Sequence, residues 1–269
     1  MEATPSYSLF SVPDTPVNVK KILKSKELFM KPDILYEDND IIVCYKPAKL
    51  AVQTARTGIP DMVSILKNHI YKTDPKKKPP YLAVIHRLDQ PVEGILVFAK
   101  TKPAAAALTK QLTSFGFGKH YMALLSGRLA KPQGTLVDYL VKDSKTNSSS
   151  VCTPATPGAK QAILHYTVAE ASKDSCLVNI RLETGRHHQI RVQMRHAGMS
   201  LLGDYKYADA QTIRISKQLQ VKEVALCAYR LSFFHPESGR RMDFRIRPEG
   251  KSFQAEEFVQ EIQKEINDV

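Results

Sequence analysis

Two stretches of this 269-residue chain carry side chains in an order that could support chemistry. The first is His86-Arg87-Leu88-Asp89-Gln90-Pro91-Val92-Glu93-Gly94, followed at once by the apolar run Ile95 to Ala99. A basic pair precedes a lone carboxylate, a turn with proline and glycine follows, and a short buried strand comes next. That order holds Asp89 at the mouth of a sheet beside positive charge, where a polyanion could approach it. From these residues alone, Asp89 either caps a turn, the ordinary task of a lone aspartate, or does chemistry on such a polyanion. Glu93, four positions on, raises a two-carboxylate glycosidase as an alternative. The turn between the two gives no reason for both to face one substrate, and a basic surface fits poorly with a neutral sugar.

The second stretch, Thr184-Gly185-Arg186-His187-His188-Gln189-Ile190-Arg191, follows a strand and reads as the opening of a helix that continues through Arg195. Ile190, Met194 and Ala197 form its apolar stripe and Gly198 ends it. His187, Arg191 and Arg195 recur every fourth residue, so their positive groups are expected on one face. The helix start would add backbone N–H groups and the positive dipole end, together a phosphate site. A solvated basic face is the blander account. A zinc site from His187, His188 and His196 is not expected, because no carboxylate or thiolate completes a recognised spacing.

The elements that must position these stretches are legible in outline. Ile34 to Tyr36 and Ile41 to Tyr45 flank an Asp/Asn cluster and predict a hairpin. Asp61 to Tyr71 has helical apolar spacing at Met62, Ile65, Leu66 and Ile70. Lys72 to Pro80, with Lys76, Lys77 and Lys78, reads as a loop. Thr101 is placed to cap a helix with Ala105, Leu108, Leu112 and Phe115 on its apolar face. Strands are predicted at Lys119 to Leu125, Ala162 to Val168, Leu177 to Leu182, Val224 to Phe234 and Arg241 to Arg247. Lys142 to Gln161, rich in Ser, Thr, Pro and Gly, reads as a flexible surface loop dividing the chain into halves. A last helix carries Phe258, Ile262 and Ile266 four apart and is expected to dock on the body. Hairpins interspersed with isolated helices predict an α+β fold.

Composition narrows the partner. Lys+Arg number 39 against 27 Asp+Glu, a formal charge of +12, and nucleic acid is the commonest partner of such an excess. No basic amphipathic helix beside an anchor stands out, and no apolar run reaches the ~20 residues that span a bilayer, so no membrane role is expected. Met1 to Pro16 lacks the basic start and apolar core of a secretion signal. Cys44, Cys152, Cys176 and Cys227 are scattered, which predicts reduced thiols and a cytoplasmic home.

The first stretch resembles the His-Arg-Leu-Asp motif of the RluA-type pseudouridine synthases, with Val92-Glu93 in place of that family's Thr-Ser pair. The second resembles their Thr-Gly-Arg-x-His-Gln-Ile-Arg motif at every fixed position. Lys46-Pro47-Ala48-Lys49-Leu50 is similar to their Lys-Pro-Ala-Gly-Leu segment, Lys119-His120-Tyr121 to their Lys-x-Tyr strand, and Leu226 to Pro236 to their closing strand. Gly203-Asp204-Tyr205-Lys206-Tyr207 follows at the family's interval, with Ala208 where glycine is common. The resemblance covers roughly Leu35 to Arg247 in the family's order.

It implies a pseudouridine synthase fold, a mixed and mostly antiparallel sheet in two halves with flanking helices and a central cleft. The expected domains are a basic extension over 1–30, a catalytic domain over 31–250 and a C-terminal helix over 251–269; no S4-like domain is expected. The implied activity is isomerisation of uridine in structured rRNA or tRNA. Asp89, Tyr121 and Arg191 are the implied catalytic groups. Arg87, Ile190, His86, Arg186, His188 and Gln189 are the implied substrate-binding residues: Arg87 fills the place of a flipped base, Ile190 floors it, and His86 packs or hydrogen-bonds rather than carrying a proton. On a strand alone, Tyr121 would read as core. No cofactor, no metal, no obligate protein partner and a monomer are expected. A catalytically silent RNA-binding or chaperone protein on the same fold would share the charge; retention of Asp89, Tyr121 and Arg191 together favours the enzyme.

Overall fold

The computed structural model of the chain describes residues 32–56, 58–73, 80–114, 116–127 and 131–267. The N-terminal basic segment, Lys76 to Lys78 and Phe115 lie outside the described residues. Those described form one eleven-stranded sheet with helices on its faces.

The expected hairpin is β1 (Asp33–Glu37) and β2 (Ile41–Lys46). Its turn is set by Asp38, whose Oδ1 accepts the N–H groups of Asp40 and Ile41 at 2.8 and 2.9 Å. The apolar run after Asp89 becomes β4 (Glu93–Ala99), antiparallel to β2 and to the two-residue β3 (Ala83–Val84). Both β2 and β4 are buried along their whole length, as continuous apolar runs covered on both faces must be. Ile42, Leu96 and Phe98 pack on one side, Ile41, Ile95 and Val97 on the other.

The remaining strands are β5 (Gly118–Ser126), β6 (Gln133–Asp143), β7 (Ser148–Cys152), β8 (Lys160–Ala171), β9 (Ser175–Leu182), β10 (Leu226–Phe234) and β11 (Arg241–Arg245). The sheet order is β1-β2-β4-β10-β5-β9-β8-β6-β7, with β11 beside β10. Of these pairings only β4 with β10 is parallel. There the chains approach so closely that a Cβ on Gly94, at φ 136°, would lie 2.5 Å from the backbone nitrogen of Ala228. Glycine is required at that position.

Helix α1 (Met62–Thr73) buries the four residues its spacing singled out. Helix α2 (Lys102–Leu112) is capped by Thr101, whose Oγ1 accepts the Ala104 N–H at 3.3 Å. Helix α3 (Gln189–His196) carries the second stretch; α4 (Ala210–Gln218), which no periodicity announced, is capped by Asp209. Helix α5 (Glu256–Asn267) buries Phe258 and Ile262 against Met122, Leu124 and Tyr229.

One expectation is overturned. Residues 142–161 are not a loop between halves: they hold the end of β6, all of β7 and the start of β8 in continuous antiparallel register. The Ser-rich β7 lies at the end of the sheet order, where a strand needs little apolar content.

Candidate active site

Asp89 sits in the turn that delivers the chain into β4, closed by the Val92 N–H donating to the Asp89 carbonyl at 3.0 Å. Leu88 and Val92 are buried on either side and fix the turn to the core. Beneath it, fully buried Lys46 donates to three carbonyls, Pro47 at 2.9 Å, Leu50 at 2.7 Å and Gln90 at 3.1 Å. Burial pulls the Lys46 pKa down to about 7, and the charges of Asp89 and Glu93 act against that fall. Lys46 thereby ties the β2 end to the residue following Asp89.

Helix α3 supplies the counter-charge. Arg191 donates through Nη1 to Asp89 Oδ2 at 3.1 Å, and through Nε and Nη2 to both oxygens of Asp204 at 2.7 Å each. Asp204 thus grips the guanidinium as a fork while the remaining nitrogen is presented to Asp89. Burial disfavours the Arg191 charge, but the Asp204 bonds and both carboxylates outweigh it and raise its pKa. The Arg191 guanidinium also lies 4.9 Å from the Tyr207 ring centroid.

The spacing argument for a basic face fails here. His188 adopts a left-handed conformation, φ 55°, and breaks the helical phase before α3 begins. His187 consequently stacks on His188 at 3.7 Å, Arg191 turns inward, and Arg195 faces Asp209 at 3.9 Å. The three do not converge on one anion.

His188 is the second group on Asp89, with Nε2 3.6 Å from Oδ2. Its Nδ1 is 2.6 Å from the Tyr207 hydroxyl, which also accepts the Ser149 N–H of β7 at 2.9 Å. Burial lowers the His188 pKa to about 4, with Asp89 opposing, so the ring is neutral at pH 7. A hydrogen on Nε2, toward the carboxylate, lets Nδ1 accept from the Tyr207 hydroxyl.

Tyr121 on β5 is buried, and burial followed by the Asp89 charge raises its pKa. Its hydroxyl has no hydrogen-bond partner among the described residues. Asp89, Arg87, Tyr121, His188, Ile190 and Arg191 line one open cavity of about 1500 Å³. Within it, Arg87 is exposed and Ile190 is 4 % exposed.

The other residues singled out by sequence are placed differently. His86 accepts the Val97 N–H at 3.4 Å and meets Phe117 edge-on; burial lowers its pKa to about 3. Arg186 lines the cavity while its Nε donates to the Gln161 carbonyl at 2.7 Å. Gln189 is committed internally: Oε1 accepts from Thr184 and the Arg186 N–H, and Nε2 donates to Ile163 and Gln193. It shapes the loop ahead of α3 rather than offering polar groups to a substrate. Glu93 points away from this chemistry. It accepts from the Tyr45 hydroxyl at 2.5 Å and from the Glu249 and Gly250 N–H groups at 3.2 and 3.0 Å. Sequence reasoning gave no role to Asp204, Tyr207, Ser149 or Lys46; all but Ser149 stand in segments that resemble the family's, but nothing in their type marks them out from structural residues.

The RNA pseudouridylate synthase profile matches residues 40–196, which include Asp89, Tyr121 and Arg191. The chain belongs to the RNA pseudouridylate synthase family. It is 34% identical over 218 residues to the uncharacterized RNA pseudouridine synthase YlyB of Bacillus subtilis, covering 80% of this chain and 68% of that one. It is 33% identical over 219 residues to the ribosomal large subunit pseudouridine synthase D of Vibrio parahaemolyticus, covering 79% and 66%. In fold it is similar to human RNA pseudouridylate synthase domain containing 4, with a TM-score of 0.68 at 21% identity over 92% of this chain and 97% of that one. Human RNA pseudouridylate synthase domain containing 1 gives a TM-score of 0.62 at 20% identity, over 81% and 84%. The chain is therefore an RluA-type RNA pseudouridine synthase, an isomerase on the α+β fold of that family. RNA is its substrate. Among the described residues no helix is long and apolar enough to cross a membrane.

Proposed function

We propose that the chain converts specific uridines of structured rRNA or tRNA to pseudouridine, with Asp89 acting at the sugar. The relatives named for the large ribosomal subunit favour rRNA. The reaction breaks the N1–C1′ bond, turns the base and joins C5 to C1′; the C5 proton leaves and N1 gains one. No electron is gained or lost, so the chemistry calls for no redox group.

The observation that carries this reading is one carboxylate at the wall of an open cavity, held by Arg191 at 3.1 Å, with Tyr121, whose hydroxyl has no hydrogen-bond partner among the described residues, lining the same cavity. A carboxylate held in place by a rigid guanidinium can act as nucleophile at C1′ or as base at C2′. Tyr121 lies against the uracil and removes the C5 proton, directly or through water. Its raised pKa keeps the hydroxyl neutral at pH 7, so it serves as a relay rather than as a phenolate. Reaching the uridine requires extruding it from its stack, at a few kcal/mol. Arg87, exposed and two residues before Asp89, fills the vacated place, and Ile190 floors the flipped base. The protein acts as a monomer in the cytoplasm, without an obligate protein partner.

The test is purified protein incubated with unmodified rRNA and tRNA transcripts, read by nucleoside chromatography. Pseudouridine is expected from the wild type and none from Asp89→Asn, with RNA affinity within a few-fold. Substantial product from Asp89→Asn, or none from the wild type on either RNA, overturns the assignment.

A further inference from the structure

Lys119, on the same β5 as Tyr121, is 8 % exposed, yet no carboxylate faces its ammonium among the described residues. Its partners across the sheet are both apolar, Leu182 on β9 and Leu231 on β10. An isolated charge in such surroundings is expensive unless something compensates it. The nearby groups do not. His86 is neutral, and the charge acting on Lys119 is another cation, Arg186. Glu183, the closest carboxylate in this loop, is engaged by His165 at 2.6 Å and Arg181 at 3.9 Å. Asp89 is held by Arg191.

The ammonium is not sealed off. Lys119, Gly185 and Arg186 all line the cavity that holds Asp89. A Cβ built on Gly185 would lie 3.4 Å from Nζ, with no other atom within 4 Å, so a larger side chain there would stand in front of the charge. Arg186 is steadied by its Nε bond to the Gln161 carbonyl. Two cations thus share one wall of a reactive cavity, one of them almost fully buried, and the loop glycine between strand and helix leaves the approach clear.

We propose that Lys119 and Arg186 form an anion subsite that takes a backbone phosphodiester flanking the reacting uridine. The proposal rests on the reading of the cavity as the RNA-modifying site. It assigns the lysine of the Lys-His-Tyr strand to substrate anchoring, separate from the chemistry at Asp89. The phosphodiester supplies the missing negative charge, and ammonium and guanidinium together grip it.

A phosphate-type anion could reach the subsite from RNA or free in solution, and the test separates the two. A twelve-residue oligouridylate is titrated by filter binding between 50 and 200 mM salt, which requires no turnover and so stands apart from whether pseudouridine is made. Losing one phosphate contact lowers the salt slope by about 0.7, so the fourfold rise in salt should weaken Lys119→Met about 2.6-fold less than the wild type. Lys119→Arg should keep the wild-type slope. Without RNA, Lys119→Met should melt at or above the wild-type temperature, because an uncompensated buried charge has been removed. Equal slopes for wild type and Lys119→Met overturn the proposal, also where millimolar inorganic phosphate raises the wild-type Tm, which would mark a free-anion site only. A Lys119→Met protein that melts well below the wild type, or fails to fold, overturns it too, since the lysine would then be structural.

Discussion

The geometry around Arg191 makes a sharp forecast for a residue that touches no substrate. In Asp204→Asn the side chain keeps its shape, but one of two acceptors becomes an NH₂ group facing the guanidinium. The Asp204 and Arg191 side chains are 1% and 5% exposed, so water cannot replace what is lost. Breaking one partner of a buried pair destabilises by about 3–5 kcal/mol. At about 2–4 °C per kcal/mol for a domain of this size class, Tm should fall by about 6–20 °C. Arg191, no longer held as a fork, should also drift from Asp89, and a misplacement of about 1 Å costs roughly 10²-fold in rate. Calorimetry gives the first quantity, and single-turnover pseudouridine formation below the new Tm gives the second. The control is Asp243→Asn, which likewise replaces one of two acceptors of Arg230, in a pair whose side chains are 29% and 33% exposed, where roughly 0–1 kcal/mol is expected. A Tm change for Asp204→Asn no larger than the control's, with activity intact, would refute the view that Asp204 positions Arg191.

Three further outcomes follow from the same structure. Tyr121→Phe keeps the ring and loses the hydroxyl, so RNA tritiated at C5 of uracil should be bound and cleaved at N1–C1′ while label release to water collapses; release at the wild-type rate would demote Tyr121 to a packing residue. Burial lowers the pKa of His86 to about 3 and of His120 and His188 to about 4, so between those values and about 6.5 the unfolded chain binds more protons. Stability should therefore fall as pH drops from 6.5 toward 4, and a urea midpoint that is flat over that window would contradict the neutral assignments. Glu93→Ala strands the Tyr45 hydroxyl and two N–H groups, at about 1–3 kcal/mol for each left unsatisfied; amide exchange at Glu249 and Gly250 should accelerate, and unchanged protection would show that the carboxylate is not what holds that segment.

The parts of this structure legible in the sequence are those that local patterning specifies. Ile41 to Tyr45 and Ile95 to Ala99 are strands because continuous apolar runs bounded by turns have few other solutions, and Thr101 caps α2 as its type and position require. Asp89, Tyr121 and Arg191 were found through motif resemblance, and the fold does bring them to one cavity. What escaped depended on distant partners. The polar β7 is a strand because β6 pairs with it, and Ser149 matters because Tyr207 and His187 bond to it. The left-handed turn at His188 defeated a spacing argument that assumed a regular helix from His187 onward. Val92-Glu93 departs from the family wording without disturbing the site, since Val92 packs in the core and Glu93 is occupied with the C-terminal segment.

The place of β10 has a consequence for how the protein is made. It is the second-to-last of the described strands, yet it lies between β4 and β5, which sequence alone would make neighbours. Until Phe234 has left the ribosome, β4 and β5 each present an open edge where β10 will insert, and the wall carrying Asp89 cannot close on the wall carrying Tyr121. Such edges invite pairing with other chains, and a central pairing of high sequence separation forms late and slowly. Nascent or truncated chains ending before β10 should therefore be inactive and prone to self-association, whereas loss of the β7 edge would leave the centre of the sheet intact. Competence to modify RNA arrives at one point, when a single strand slides into the middle of a sheet already built on both sides.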